Sequence, residues 1–528
     1  MSRGIGWRPP SAPRRPGRLP SANRLAVAAL LLVTATAPAA EIEITEVGLS
    51  ASGRVIDAMR VAAGTERAPT ITLIGGLMGA DASSDQIREE IERYASLPDA
   101  ERPVSVVAIA LANPDRQPLP FPPSGPAYRE NAESHAVWRW LGLNAPDLVL
   151  IVGANGSRLA EALPNTDVAG VAPIPARVVL TAEGLLTGLA ADVPPSPARL
   201  EIEARRARSP AELAGLLAPI YSQSFDTVLY IDGMGLIAHL GLGNLDHVRR
   251  LAEPYLDGSR ESLAGRFGVS TLVLAGHLVF AELAAQTGDP RALERARAAA
   301  DLAFDAEGEM LEAMPGHGEM SDAIFMGASI LAAVGDLTNE TRYFDMAARH
   351  LEFMNRLVRR DDGLYRHSPL TDAAWGRGNG FAAIGYALTL SKFPAEHPAR
   401  PQLLAEYRQL MTTLARWQNE DGTWRQVVDE PGAYHETSST AIIGFSMQRG
   451  LNRGWLDSAE FEPHVERAFG AVSQRTDAEG GFIDVSESTN KQPTLAAYLG
   501  REALFGRDQR TGSFAMLFAV ERAAAGTN

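Results

Sequence analysis

The chain has no cysteine among its 528 residues. Disulfides, a thiolate zinc centre and a lipid-modified cysteine anchor are thereby excluded, and export to an oxidising compartment is permitted. Its ten histidines are scattered, with no pair in a metal-ligand spacing such as His-Glu-x-x-His, so no metal site is expected. Positive charge is in deficit: 49 Lys and Arg face 64 Asp and Glu, a formal charge of -15. Wholesale nucleic-acid binding needs clustered cations and is excluded. An acidic small substrate is not, because one arginine can hold one carboxylate. Beyond the N-terminal leader no segment reads as membrane-spanning. Gly75-Gly76 follows an apolar run but lacks the remaining glycines of a dinucleotide fingerprint.

What is present begins with that leader. Arg3, Arg8, Arg14, Arg15, Arg18 and Arg24 lead into the short apolar run Leu25 to Val33, and Ala37-Pro38-Ala39 supplies small residues for cleavage. Residues 1–39 therefore read as a signal peptide, and the protein as exported, periplasmic or secreted. The remaining length suits two or three domains.

Residues 41–195 read as an α/β domain with a mainly parallel sheet. Short β-rich runs at Thr70 to Ile74, Pro103 to Ala110, Asp147 to Val152 and Arg177 to Leu180 alternate with helical stretches at Ser84 to Ser96 and Glu130 to Leu141. The segments Ile74 to Asp81, Ala112 to Arg116 and Pro146 to Leu150 resemble the zinc carboxypeptidase superfamily. That resemblance implies metal ligands at positions occupied here by Met78, Asp81 and about Gly153. Thioether and glycine cannot replace imidazole on zinc, so it implies a metal-free domain with a binding or scaffolding role.

Pro194-Pro195-Ser196-Pro197 reads as a linker without regular helix. Beyond it, over residues 205–525, strand-like runs cease and amphipathic helical patterns continue. Asp257-Gly258, Glu307-Gly308, Asp362-Gly363, Asp421-Gly422 and Glu479-Gly480 recur at intervals that fit one helical hairpin each. With a sixth from Tyr498 to Arg522, the expected fold is an (α/α)₆ barrel, an open solenoid being the alternative. The whole is then multidomain, α/β followed by all-α.

Polar residues on otherwise apolar helices are the site candidates, since burying them is costly without partners. Asp322 opens an apolar helix, either as an N-cap or as a reactive carboxyl. Glu436 and Thr440 open another, as cleft wall or cap region. Arg377 and Asn379 stand among glycines and suit a carboxylate and hydroxyl clamp. Trp375 and Phe381 suit stacking on a sugar ring or core packing. Alone, His367 suits a satisfied structural histidine.

Ser321 to Met326, Asp362 to His367, Trp375 to Phe381, Gln418 to Trp424 and Glu436 to Ala441 together resemble the unsaturated glucuronyl and rhamnogalacturonyl hydrolases, glycoside hydrolase families 88 and 105. The resemblance implies an (α/α)₆ barrel, Asp322 as general acid/base, and a sugar site lined by His367, Trp375 and Arg377. It implies hydration of the enol ether in a non-reducing 4,5-unsaturated uronic acid, released from a lyase-generated oligosaccharide without metal or organic cofactor. Three departures stand out. Thr271 to Glu282 holds no clear second aspartate, Met320 replaces an aromatic residue, and Phe381 replaces a tryptophan. The alternatives are a polysaccharide lyase or sugar epimerase on the same barrel, with Tyr365 and His367 as lyase groups, and a non-catalytic glycan-binding protein.

Overall fold

Continuous apolar strands form when a sheet is covered on both faces. The computed structural model describes residues 39–525 apart from 66, 154–155, 189–191 and 264–269. The expected signal peptide, up to residue 38, lies outside the described residues. Strands β1 (Glu43–Leu49), β2 (Val55–Val61), β3 (Thr70–Ile74), β4 (Ser105–Ile109), β5 (Leu148–Val152) and β6 (Ala176–Val179) make one sheet in the order β1-β2-β4-β3-β5-β6. Strands β3 to β6 pair in parallel, while β1 and β2 form an antiparallel extension that the sequence reading did not resolve. Ile71 and Leu73 of β3 meet Ile87, Ile91 and Tyr94 of helix α1 (Ala82–Ala95) on one face. Ile74 faces the other way, into a cluster with Ala136 and Leu141 of α2 (Ala132–Asn144) and Leu159 of α3 (Ser157–Asn165).

The proline-rich segment corrects one expectation. Ser196 caps helix α4 (Pro197–Arg206), and Pro197 occupies its first turn, where a fixed φ and a missing N–H are no handicap. The Asp147 carboxylate at the foot of β5 accepts from Ser196 N at 3.1 Å, so the helix is tied to the sheet. Ser473 Oγ donates to the Arg205 carbonyl at 2.5 Å, joining α4 to the helical half. From Ala39 onward the chain is one compact unit.

The helical half closes into a ring. Its helices are α5 (Pro210–Leu217), α6 (Tyr230–Gly241), α7 (Leu245–Leu256), α8 (Thr271–Gly276), α9 (Leu278–Thr287), α10 (Pro290–Ala300), α11 (Asp322–Thr338) and α12 (Thr341–Val358). They continue as α13 (Gly376–Lys392), α14 (Arg400–Arg416), α15 (Thr437–Asn452), α16 (Ser458–Gln474), the short α17 (Leu495–Leu499) and α18 (Gln509–Ala525). Helix α6 packs on α8 and α9, these on α11, then α13, α15 and α18 follow in turn, and α18 returns to α6. These inner helices are buried nearly all round, whereas outer helices such as α7, α12 and α16 are strongly amphipathic. All five acidic-glycine pairs stand at turns whose glycine takes φ between 75° and 89°, which costs any other residue strain.

Strand structure does not cease entirely in this half. Short ribbons pair Trp424–Arg425 with His435–Glu436 and Phe482–Ser486 with Ala503–Gly506. They sit in the loops leading into the inner helices. Because each inner helix is followed by an outer one running back, the inner helices are parallel and their N-termini share one mouth. Below it Tyr230, Phe325, Phe381 and Phe514 pack ring to ring, with Tyr230 and Phe381 centroids 5.6 Å apart. Phe381 therefore fills the core, the second of the two roles open to it.

Candidate active site

Asp322 is the first residue of α11, and the preceding Ser321 makes no side-chain cap. An aspartate there could have bonded to the free backbone N–H groups of its own helix. Instead its Oδ2 has no hydrogen-bond partner among the described residues, although the side chain is only 14% exposed. That oxygen lies 3.2 Å from His367 Nε2, close enough for an ion pair but outside hydrogen-bond alignment. His367 is fully buried and comes from the loop after α12. Its Nδ1 lies 2.8 Å from Tyr498 Oη, and its ring centroid is 4.5 Å from that of Trp375. The Gln492 backbone N–H donates to the same Tyr498 oxygen at 3.1 Å. Asp322, His367 and Tyr498 thus form a line of polar groups from three separate loops or helix ends.

The Trp-Gly-Arg-Gly-Asn-Gly segment opens α13, and its glycines serve packing between protein segments. A Cβ on Gly378 would fall 2.6 Å from Ser321 Oγ. It is the loop before Asp322 that approaches the backbone here. Trp375 is only 2% exposed, held between His367 and the Arg377 guanidinium, whose carbon lies 4.6 Å from the ring centroid. It walls the site and presents no open stacking face.

The other proposed contacts are spent on the fold. Arg377 is 1% exposed and donates to Ser438 Oγ and to the carbonyls of Ser486 and Glu487 at 3.1, 2.7 and 2.8 Å. Burial holds its pKa below the ordinary value. Asn379 accepts from Tyr365 N at 2.9 Å and donates to the Tyr365 carbonyl at 2.8 Å, the exchange a neighbouring strand would make. The Glu436 carboxylate caps α15 through Ser438 N and Ser439 N at 3.0 and 2.6 Å, and also accepts from Ser486 N at 2.9 Å. Thr440 Oγ1 donates to the Glu436 carbonyl at 2.7 Å and accepts from Trp424 N at 3.2 Å. Arg377, Asn379, Glu436 and Thr440 thus hold the loops at the mouth; as placed, none offers a free clamp. Tyr365 likewise turns away from His367, its hydroxyl donating to Asn355 Oδ1 at 2.7 Å.

Three residues at the mouth escaped the sequence reading. In the sequence Tyr498 marks only the start of a repeat. Asp232, in the first turn of α6, is pushed up to about 6 by burial, while Gln509 Nε2 donates to it at 3.0 Å. A lone carboxyl at the start of an apolar helix was its available signal, the same one that singled out Asp322. Arg510 in α18 is 8% exposed, with Nε on Tyr230 Oη at 2.9 Å and Nη2 on Ser488 Oγ at 2.8 Å. Among the described residues its remaining terminal nitrogen has no hydrogen-bond acceptor.

Residues 273–524 match the family model for Glycosyl Hydrolase Family 88. The C-terminal half is thereby similar to that family. An unsaturated 3S-rhamnoglycuronyl hydrolase of Formosa agariphila is 26% identical over 182 residues, which is 31% of this chain and 48% of that protein. The chain spans about half the length of the curated relatives it matches. Among solved structures, a glycosyl hydrolase of family 88 from Bacteroides vulgatus superposes with a TM-score of 0.50 at 17% identity, covering 60% of this chain and 99% of that one. A polysaccharide lyase superposes equally, with a TM-score of 0.50 at 18% identity over 60% of this chain and 98% of its own. Both likenesses concern the fold.

Proposed function

We propose that the protein is a hydrolase that removes a 4,5-unsaturated uronic acid from the non-reducing end of an oligosaccharide. The observation that carries the reading is Asp322: a largely buried carboxyl at a helix start, left out of its own helix's capping and set against His367. An unsaturated uronide has a C4=C5 double bond conjugated to its carboxylate, and C5 also bears the ring oxygen. Asp322 gives its proton to C4, and the ring oxygen shares the positive charge that develops at C5. Water adds to C5 as the Asp322 carboxylate takes its proton, forming a hemiketal. The hemiketal opens, and the partner sugar leaves as an alcohol. One acid that becomes a base suffices; ordinary glycosidases instead place two carboxylates across an acetal carbon.

In this reading His367 orients the carboxyl, Trp375 walls the pocket, and Arg377 positions the loop at Ser486. Arg510, with a nitrogen unspent, is the residue we assign to the uronate carboxylate. We read the α/β half as a zinc-free relative of the carboxypeptidases with a scaffolding role, and the protein as exported. Among the described residues no helix is long and apolar enough to cross a membrane.

The lyase reading keeps one specific support, the His367–Tyr498 pair on a fold that a lyase shares. One spectrophotometric trace separates the two, since a hydrolase bleaches the ultraviolet absorbance of unsaturated disaccharides and a lyase generates it from intact polyuronide. An Asp322→Asn variant that still bleaches the substrate at the wild-type rate overturns the assignment.

A further inference from the structure

Outside the mouth, a cavity of about 800 Å³ lies between the sheet edge, α2, α4 and the loop after α14. Its walls include Arg206 and Arg475, the carboxylate of Asp421, and Trp140 and Trp417. Both tryptophans are partly exposed.

The charges on one wall are out of balance. Arg475 is 2% exposed and donates through Nη2 to Asp421 Oδ2 at 2.7 Å, while its Nε and Nη1 have no partner among the described residues. The same carboxylate oxygen is 2.9 Å from His435 Nδ1, so its capacity is divided. Arg206 bonds only a neutral amide, through Nε to Gln474 Oε1 at 2.7 Å. No described residue accepts from its two terminal nitrogens. Partial burial and the neighbouring Arg475 both hold the Arg206 pKa below its ordinary value. Arg475 therefore divides the Asp421 carboxylate with His435, and Arg206 bonds no carboxylate at all, at the edge of a roomy cavity. A buried cation without full compensation is costly, and an incoming oxyanion would relieve it.

The size and the rest of the lining decide what carries that anion. A lone inorganic ion would leave most of 800 Å³ unfilled. Tryptophan faces beside carboxylate acceptors and guanidinium donors suit a ligand with apolar ring faces, many hydroxyls and an acidic group. We propose that this cavity is a second binding site, for an acidic saccharide whose carboxylate or sulfate sits between Arg206 and Arg475 and whose rings lie along Trp140 and Trp417. The proposal is independent of the chemistry assigned to Asp322. Such a site would hold a polymeric product or substrate on the enzyme away from the mouth.

The test is calorimetric titration of the full chain with saturated trigalacturonate, which has no double bond to hydrate, and separately with inorganic sulfate. Trigalacturonate should bind, and Arg206→Gln should weaken it about tenfold or more, the worth of one charge-assisted hydrogen bond. Arg206→Glu should abolish binding and raise the melting temperature, because its carboxylate would pair with Arg475 in place of the ligand. An Asp322→Asn variant should bind as the wild type does. Absence of trigalacturonate binding overturns the proposal. So does binding unchanged by Arg206→Gln, which places the sugar elsewhere, or a site that takes inorganic sulfate and no saccharide.

Discussion

The crest of the sheet and the mouth of the ring are both places where parallel elements end together, yet their polar groups are used differently. At the crest, Gly76 N donates to Ser83 Oγ at 2.9 Å, and Asn113 Nδ2 donates to the carbonyls of Leu77 and Gln117, each at 2.8 Å. Asp81 caps α1 by accepting from Ser83 N at 2.9 Å, and Met78 is exposed to solvent. Each of these polar groups is committed to holding a turn. At the mouth, Glu436 and Asn379 are committed in the same way, but Asp322 is not. Two carboxyls open inner helices on either side of α13, one consumed by capping and one withheld from it. The difference shows why residue type and position alone do not locate chemistry. What matters is whether the fold has already used the group.

The largest effect expected from that contrast is on turnover. Asp322→Asn should lower kcat by about a hundredfold to ten-thousandfold, the usual worth of a positioned acid/base, with an unchanged melting temperature. Rate loss accompanied by unfolding would instead place Asp322 with the capping groups. Glu436→Ala should act in the opposite sense, costing about 3 kcal/mol in denaturant unfolding because several buried N–H donors lose their acceptor. Its activity per folded molecule should fall only as far as the loop at Ser486 moves.

The next effect concerns acid. His350 receives the Met314 N–H on Nδ1 at 3.2 Å, and its Nε2 lies 2.8 Å from the Ala323 carbonyl, beside Asp322. Burial holds His350 and His277 at about 4 against an ordinary 6.5. Between those values the unfolded chain binds more protons than the folded one. Their contribution is therefore complete above pH 6.5 and is lost as pH falls towards 4. Urea midpoints measured from pH 7 to 4.5 should decline, and His350→Gln should flatten the slope. A slope unaffected by that variant would remove His350 from the account.

Smaller still, Tyr498→Phe should reduce kcat about tenfold by freeing the His367 ring, an effect near that of one lost buried hydrogen bond. A change confined to KM would indicate that Tyr498 meets substrate directly. Smallest is the crest: Arg54→Ala removes an exposed arginine from its pair with the largely covered Asp115 and should cost about 1 kcal/mol without altering turnover.

Much of the scaffold was legible before the structure. Strand β3 was bounded at Thr70 and Ile74, because a short β-branched run flanked by turn residues has few other options. The helical pairs were visible through their acidic-glycine turns, since only glycine takes the left-handed backbone there cheaply. The hairpin of β1 and β2 was missed; its pairing depends on partners elsewhere in the chain. The serine and proline at 196 and 197 read as a break but begin a helix, because proline is tolerated in a first turn. The site was legible only in outline. Asp322 and His367 were chosen and do face each other, while Arg377, chosen as a clamp, is spent on Ser486 and Glu487.

The sequence by itself determined much of the order of elements, the repeat of helical pairs and the short list of polar residues at helix starts, because propensity and periodicity are local properties. Only the tertiary structure decided which of those residues are consumed by hydrogen bonds and which remain available. That choice depends on loops more than a hundred residues apart, such as the one bringing Tyr498 to His367, meeting at one end of the ring.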